Sequence, residues 1–104
     1  MDLVVFWTDT AIERLEDIFD YYKTKVNLQV AQGIVSSIVD STIELENQPK
    51  IGQIEELLKD RAIEYRYLIS GNYKIIYWIN EPYILIATVF DCRQDPIKLK
   101  KYSS

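Results

Sequence analysis

The chain has 104 residues, 48% of them apolar and 27% charged, with a formal net charge of −4. This is the composition of an ordinary folded domain with a single core, and it excludes a disordered chain. One cysteine excludes an intrachain disulfide, and no window approaches the ~18 apolar residues of a membrane span, so a cytoplasmic protein is expected.

The charge is unevenly spread. Residues 1–58 carry 4 basic and 11 acidic side chains, whereas residues 59–104 carry 8 basic and 5 acidic ones. The basic excess of the second part is smaller than a dedicated nucleic-acid binder usually shows. Eight tyrosines are available to cover apolar surface while still offering a hydroxyl, as interfaces require.

LVVFW (residues 3–7) is β-branched and aromatic and predicts a strand, and Asp2 and Asp9 interrupt it too early for a secretory leader. Ile12, Leu15, Ile18, Phe19 and Tyr22 then recur at helical spacing, predicting an amphipathic helix over about residues 10–25. Thr10 with Glu13 forms a capping box at its start, with Thr8 as a competing cap. Asn27 is placed to cap a second helix whose stripe runs through Ala31, Ile34, Val35 and Ile38 until Pro49 ends it. The short joint predicts an antiparallel helical hairpin. Gly33 either weakens the second helix or permits a close approach to the first.

Residues 50–60 fit a helical turn or a short strand equally. Three strand-like runs follow: IEYRYLI (63–69), YKIIYWI (73–79) and YILIATVF (83–90), joined by turns at Gly71-Asn72 and Asn80-Glu81-Pro82. Tight turns imply an antiparallel meander. The fold class is therefore α+β: a small two-layer sandwich of an N-terminal strand, a helical hairpin and a three-stranded meander, forming one curved, mainly antiparallel sheet. A single hairpin covers one face of a sheet. The other face is expected to be a binding surface, because Ile75, Ile76, Tyr77 and Trp78 make the middle strand apolar on both sides.

The opening strand with TAIERLEDIFDYY, then LENQPKIGQ, YRYLISGNYKIIYWI and finally VFDCRQDP, resembles in order and spacing the RelE/ParE toxin superfamily of type II toxin–antitoxin pairs. The resemblance implies one toxin domain over residues 1–104, with 97–104 as a basic tail, and a co-encoded antitoxin as partner. It implies operator DNA binding only through that antitoxin. No cofactor or metal is expected, since Asp91 and Asp95 make a thin ligand set. Two activities occur in the superfamily. RelE-like members cut messenger RNA on the ribosome, and ParE-like members poison DNA gyrase. Arg66 matches a family arginine that supports phosphate binding in the nucleases, and Arg93 matches the arginine of the closing motif. The sequence has no histidine, whereas many relatives carry one near the position of Asp91. The stretch before the YR strand, IEELLKDR, is acidic and apolar where some nucleases are lysine-rich. These departures favour the ParE-like branch, with the mRNA endonuclease as the alternative and a non-toxic binding protein that keeps the fold as a third reading.

Each candidate residue has a plainer role beside the functional one. A nuclease would draw on Arg66, Arg93 and Tyr102, the arginines holding a phosphate. A binding surface would draw on Arg66, Tyr77, Arg93, Lys98, Lys100 and Lys101. Arg93 lies within two residues of Asp91 and Asp95 and is equally suited to clamp the end of its strand, the role slightly favoured. Arg66, mid-strand, must lie on the open face or be paired there. The basic tail either follows a nucleic-acid backbone or is a solvated end. Cys92, beside Arg93, is expected to be a small buried hydrophobe rather than a nucleophile.

Overall fold

The computed structural model describes residues 2–94. Strand β1 (Val4–Trp7) leads into α1 (Asp9–Lys25) and α2 (Leu28–Ser41), followed by a 3₁₀ turn at Ile43–Glu46. The two-residue strand β2 (Gln53–Ile54) and a second 3₁₀ turn (Glu56–Leu58) precede the meander β3 (Arg66–Ser70), β4 (Tyr73–Asn80) and β5 (Tyr83–Asp91). The five strands are ordered β1-β5-β4-β3-β2. The expected α+β sandwich is thus present, with β1 parallel to β5 and the other pairs antiparallel.

Local chemistry sets the boundaries. The first helix is capped by Thr8, not Thr10: Thr8 Oγ1 accepts from the Ala11 amide and donates to the Ile86 carbonyl at 2.7 Å. One hydroxyl therefore caps α1 and fastens the end of β1 to β5, a tie that Thr10, a residue inside the helix, cannot make. Asn27 caps α2 as expected, taking the Val30 amide at 2.8 Å. Gly33 has nothing within 4 Å of where a Cβ would sit, so it does not serve a close approach. Gly71, at φ +58°, supplies the left-handed residue that the two-residue turn between β3 and β4 needs. In the β4–β5 ladder the register shifts between Ile76 and Tyr77, a bulge with Ala87 as the extra residue of β5.

Alternation along β4 divides two apolar clusters. Tyr73, Ile75 and Tyr77 join Ile84, Ile86 and Val89 of β5 beneath Ala11, Leu15, Ile18, Ile34 and Ile38 of the hairpin. Burying an isoleucine such as Ile75 or Ile84 contributes about 1.5–3 kcal/mol. The opposite face is not open at its centre, contrary to expectation. Residues 55–65 fold over it, and Leu58 and Tyr65 pack on Ile76 and Phe90, with Ile63, Tyr67 and Trp78 at the margin. The physical reason lies in the strand itself: apolar side chains on both faces of β4 require two covers, and the segment with no clear periodicity supplies the second. That cover is anchored by Glu55, whose carboxylate, 3% exposed, takes Lys74 Nζ at 2.8 Å. Lys74 also lies 4.4 Å above the Tyr67 ring. The margins of this face stay open, with Val4, Phe6 and Tyr83 about half exposed at the β1 edge and Ile69 on β3.

Candidate functional site

Arg66 opens β3 directly opposite Tyr77. Its neighbour on the same face, Leu68, packs into the cluster under the helices, so Arg66 lies on the helix face and not on the opposite one as expected. It lies under the chain that links the 3₁₀ turn to β2. Its guanidinium donates to the Gly52 carbonyl at 2.8 Å and the Lys50 carbonyl at 3.3 Å, and pairs with Glu64 at 3.1 Å. The side chain is 16% exposed. Tyr77 is fully buried, donates to the Pro49 carbonyl at 2.8 Å and accepts from the Gly52 amide at 2.9 Å. Burial raises its phenol above the ordinary value, which keeps it neutral and able to donate. Tyr77 therefore reaches no partner, and its expected place in a binding surface is corrected: together with Arg66 it clamps residues 49–52. Gly52 is required there, since a Cβ would fall 2.5 Å from the Tyr77 hydroxyl and 2.7 Å from the Tyr67 carbonyl oxygen.

Arg93 belongs to the other end of the sheet. The turn after β5 folds back so that Asp91 Oδ1 takes both the Arg93 amide and Nε, and Asp91 Oδ2 takes Nη2 at 2.8 Å. This fork holds the Asp91 carboxyl below its ordinary value and raises the guanidinium, to which Tyr22 also contributes. Tyr22 accepts in turn from Tyr73, whose phenol is pushed far up by burial and by that hydrogen bond. The Arg93 side chain remains 53% exposed. It borders a groove of about 360 Å³ between α1 and the end of β5, lined by Arg14, Asp17, Ile18, Tyr21 and Val89 among others. Cys92 is exposed and not buried as expected, and desolvation raises its thiol rather than Arg93 lowering it, which leaves it a poor nucleophile.

The two arginines are thus not gathered. Tyr73 of β4 stands opposite Asp91, and Tyr77 opposite Arg66. Four residues of strand place the two anchorages roughly 13 Å apart along β4 alone. Tyr102, Lys98, Lys100 and Lys101 lie outside the described residues. Among the described residues no cluster of three or more His, Cys, Asp or Glu side chains is arranged to hold a metal, and no helix is long and apolar enough to cross a membrane. The Tyr77–Gly52 clamp and the Glu55–Lys74–Tyr67 group escaped sequence reasoning. The only signal for the second was a lysine in an otherwise apolar strand.

The sheet thus carries a clamped loop toward one end and an exposed arginine fork at the other. A family model described as the ParE toxin of the type II toxin–antitoxin system, parDE, matches residues 5–96, and the chain belongs to this family. Among solved structures, a chain from the chromosomal ParDE toxin–antitoxin system of P. aeruginosa superposes with a TM-score of 0.72 at 19% identity, over 86% of this chain and 95% of that one. At that identity the likeness concerns the fold. A comparison with curated proteins finds no match.

Proposed function

We propose that the protein is the toxin of a type II toxin–antitoxin module that acts by binding and poisoning DNA gyrase, and that a co-encoded antitoxin neutralises it. Membership of the ParE family supports the module and the antitoxin partner. The observation that carries the choice of target is the separation of the two arginines. A ribosome-dependent nuclease built on Arg66 and Arg93 needs both guanidinium groups on one scissile phosphate. Here each is spent on its own anchorage, four residues apart along β4, one on backbone carbonyls and Glu64, the other on Asp91. In this reading Arg66 and Tyr77 shape the scaffold, and Arg93 is the residue that meets the partner.

The test is induction of the toxin without its antitoxin. The expected result is a DNA-damage response with gyrase trapped on cleaved DNA and translation initially intact. Ribosome-dependent cuts in messenger RNA with normal supercoiling would favour the endonuclease instead, and unimpaired growth with tight antitoxin binding would favour the non-toxic protein.

A further inference from the structure

The two edges of the sheet are β1 and β2. Edge strands are commonly blunted by shortness, by a charged residue or proline, or by a covering segment. β2 is two residues long, whereas β1 runs Val4–Trp7 as VVFW, with neither charge nor proline. Its bonds to β5 use alternate residues. The Val4 amide donates to the Pro82 carbonyl at 2.9 Å and the Thr8 amide to the Ile86 carbonyl at 3.2 Å. Phe6 lies between them in the parallel register, so Val5 and Trp7 turn their N–H and C=O groups to the outer side. Among the described residues no strand takes up that side. The side chains beside it are apolar. Leu3, Val5 and Trp7 pack into the core under the helices, which leaves Val4 and Phe6 on the opposite face. Phe6 meets Tyr83 edge to face, with ring centroids 6.2 Å apart, and both rings are about half exposed. Ile43, on the 3₁₀ turn that packs beside β1, is exposed as well.

We propose that this edge is the docking site for an extended segment of a partner protein that alternates apolar side chains and carries lysine or arginine at its ends. The segment adds a further strand beside β1. Its main chain meets the outward groups of Val5 and Trp7, and its apolar side chains continue the row of Val4 and Phe6. Charge selects this occupant. Asp2 precedes β1, Asp9 follows it, and Glu44 and Glu46 stand on the adjoining 3₁₀ turn, all of them exposed. Residues 2–10 and 42–47 contain no lysine or arginine. Arg14 lies more than a turn into α1 and pairs with Asp17 at 3.0 Å. Arg66, on β3, is three strands away in the sheet, roughly 14 Å by strand spacing, beyond the ~8 Å over which exposed charges act at physiological salt. A second copy of the chain fits less well. Antiparallel pairing of two β1 strands about their centre brings Asp2 of one copy toward Asp9 of the other, and like charges oppose it. The proposal does not depend on gyrase being the target, since it uses no residue of the Arg93 end.

Amide shifts of the isotope-labelled full-length chain test it with two capped peptides, Lys-Val-Thr-Val-Thr-Val-Lys and its counterpart with glutamate at both ends. The lysine peptide is expected to shift signals centred on Val5 and Trp7. The glutamate peptide is expected to bind about five-fold more weakly at low salt, and the gap to close as salt rises. Asp2→Lys with Glu44→Lys, both at exposed positions, reverses the order of the two peptides. Val5→Pro removes one outward N–H without touching the ladder to β5 and abolishes binding. Should that variant not fold, Phe6→Ser, which alters only the exposed row, is expected to weaken binding several-fold. Equal binding of the two peptides, shifts centred on another surface, or no shift at millimolar peptide would overturn the proposal. Shifts at β1 that grow with protein concentration in the absence of peptide would also overturn it, because a second copy would then be the occupant.

Discussion

The sheet carries an arginine at each end, and the two ends are built on opposite plans. At the Arg66 end the side chain is mostly buried and its partners are 2–16 residues away in sequence, gathered by the path of residues 49–52. At the Arg93 end the guanidinium is half exposed, and its main partner lies two residues back on the same turn, with Tyr22 of α1 beside it. Long-range contacts make a residue part of the scaffold, because removing it leaves groups from several elements without a partner. A local fork fixes a side chain at the surface without enlisting the core, as a recognition residue requires. Identity as an arginine in a family motif does not separate these two roles, but burial and the backbone carbonyls that Arg66 holds do.

The comparison breaks first at Gly52. Gly52→Ala places a methyl against the Tyr77 hydroxyl and the Tyr67 backbone. Overpacking and the displaced hydrogen bonds together are expected to cost about 3 kcal/mol, read as a lower urea midpoint at unchanged slope. A variant as stable as the parent would show that residues 49–52 are not clamped. Arg66→Ala comes next. It leaves the Gly52 carbonyl unpaired in a partly buried site and is expected to cost about 2 kcal/mol. Arg66→Lys is expected to recover only part of this, since an ammonium cannot supply the fork that spans Gly52 and Glu64. Any loss of toxicity in Arg66→Ala should follow its loss of folded protein and diminish at lower growth temperature.

The sequence made legible what depends on periodicity and turns. The hairpin follows from apolar spacing in α1 and α2 and from Asn27, and the meander from Gly71-Asn72 and the break before Tyr83. The site was less legible, for two physical reasons. Residues 50–65 have no regular period, because their role is to cover a face rather than to form a layer. Neither the Glu55–Lys74 pair nor the placement of Leu58 over Ile76 is written in their spacing. The face of Arg66 is hidden from the sequence for a related reason. An arginine toward the helix side was expected to meet a dry core, whereas that edge of the sheet extends beyond the hairpin and meets carbonyls of the 49–52 chain instead.

Arg93→Ala sharpens the comparison from the other side. The melting temperature is expected to stay within a degree or two of the parent, as for most exposed substitutions, while growth inhibition in the absence of antitoxin falls clearly. A fully toxic Arg93→Ala would remove Arg93 from the partner surface, and a strongly destabilised one would give it the structural role that Arg66 holds.

The smallest effect concerns acid. Asp91 has its carboxyl depressed in the folded state, first by the Arg93 side chain, while an unfolded aspartate titrates near 3.8. A group whose folded value is lowered binds fewer protons folded than unfolded, so its contribution is present above about pH 4 and is lost as pH falls through the lower folded value. Urea midpoints measured between pH 6 and pH 2 should therefore fall less steeply below pH 4 in Asp91→Asn than in the parent. Arg93→Ala should flatten the same limb, because the depression originates in the guanidinium. Tyr77→Phe and Arg66→Ala, which act four residues further along β4, should lower the whole curve and keep its acid limb parallel to the parent. If Arg66→Ala instead flattened the acid limb as Arg93→Ala does, the two ends would be coupled, and the division between a scaffold arginine and a surface arginine would have to be abandoned.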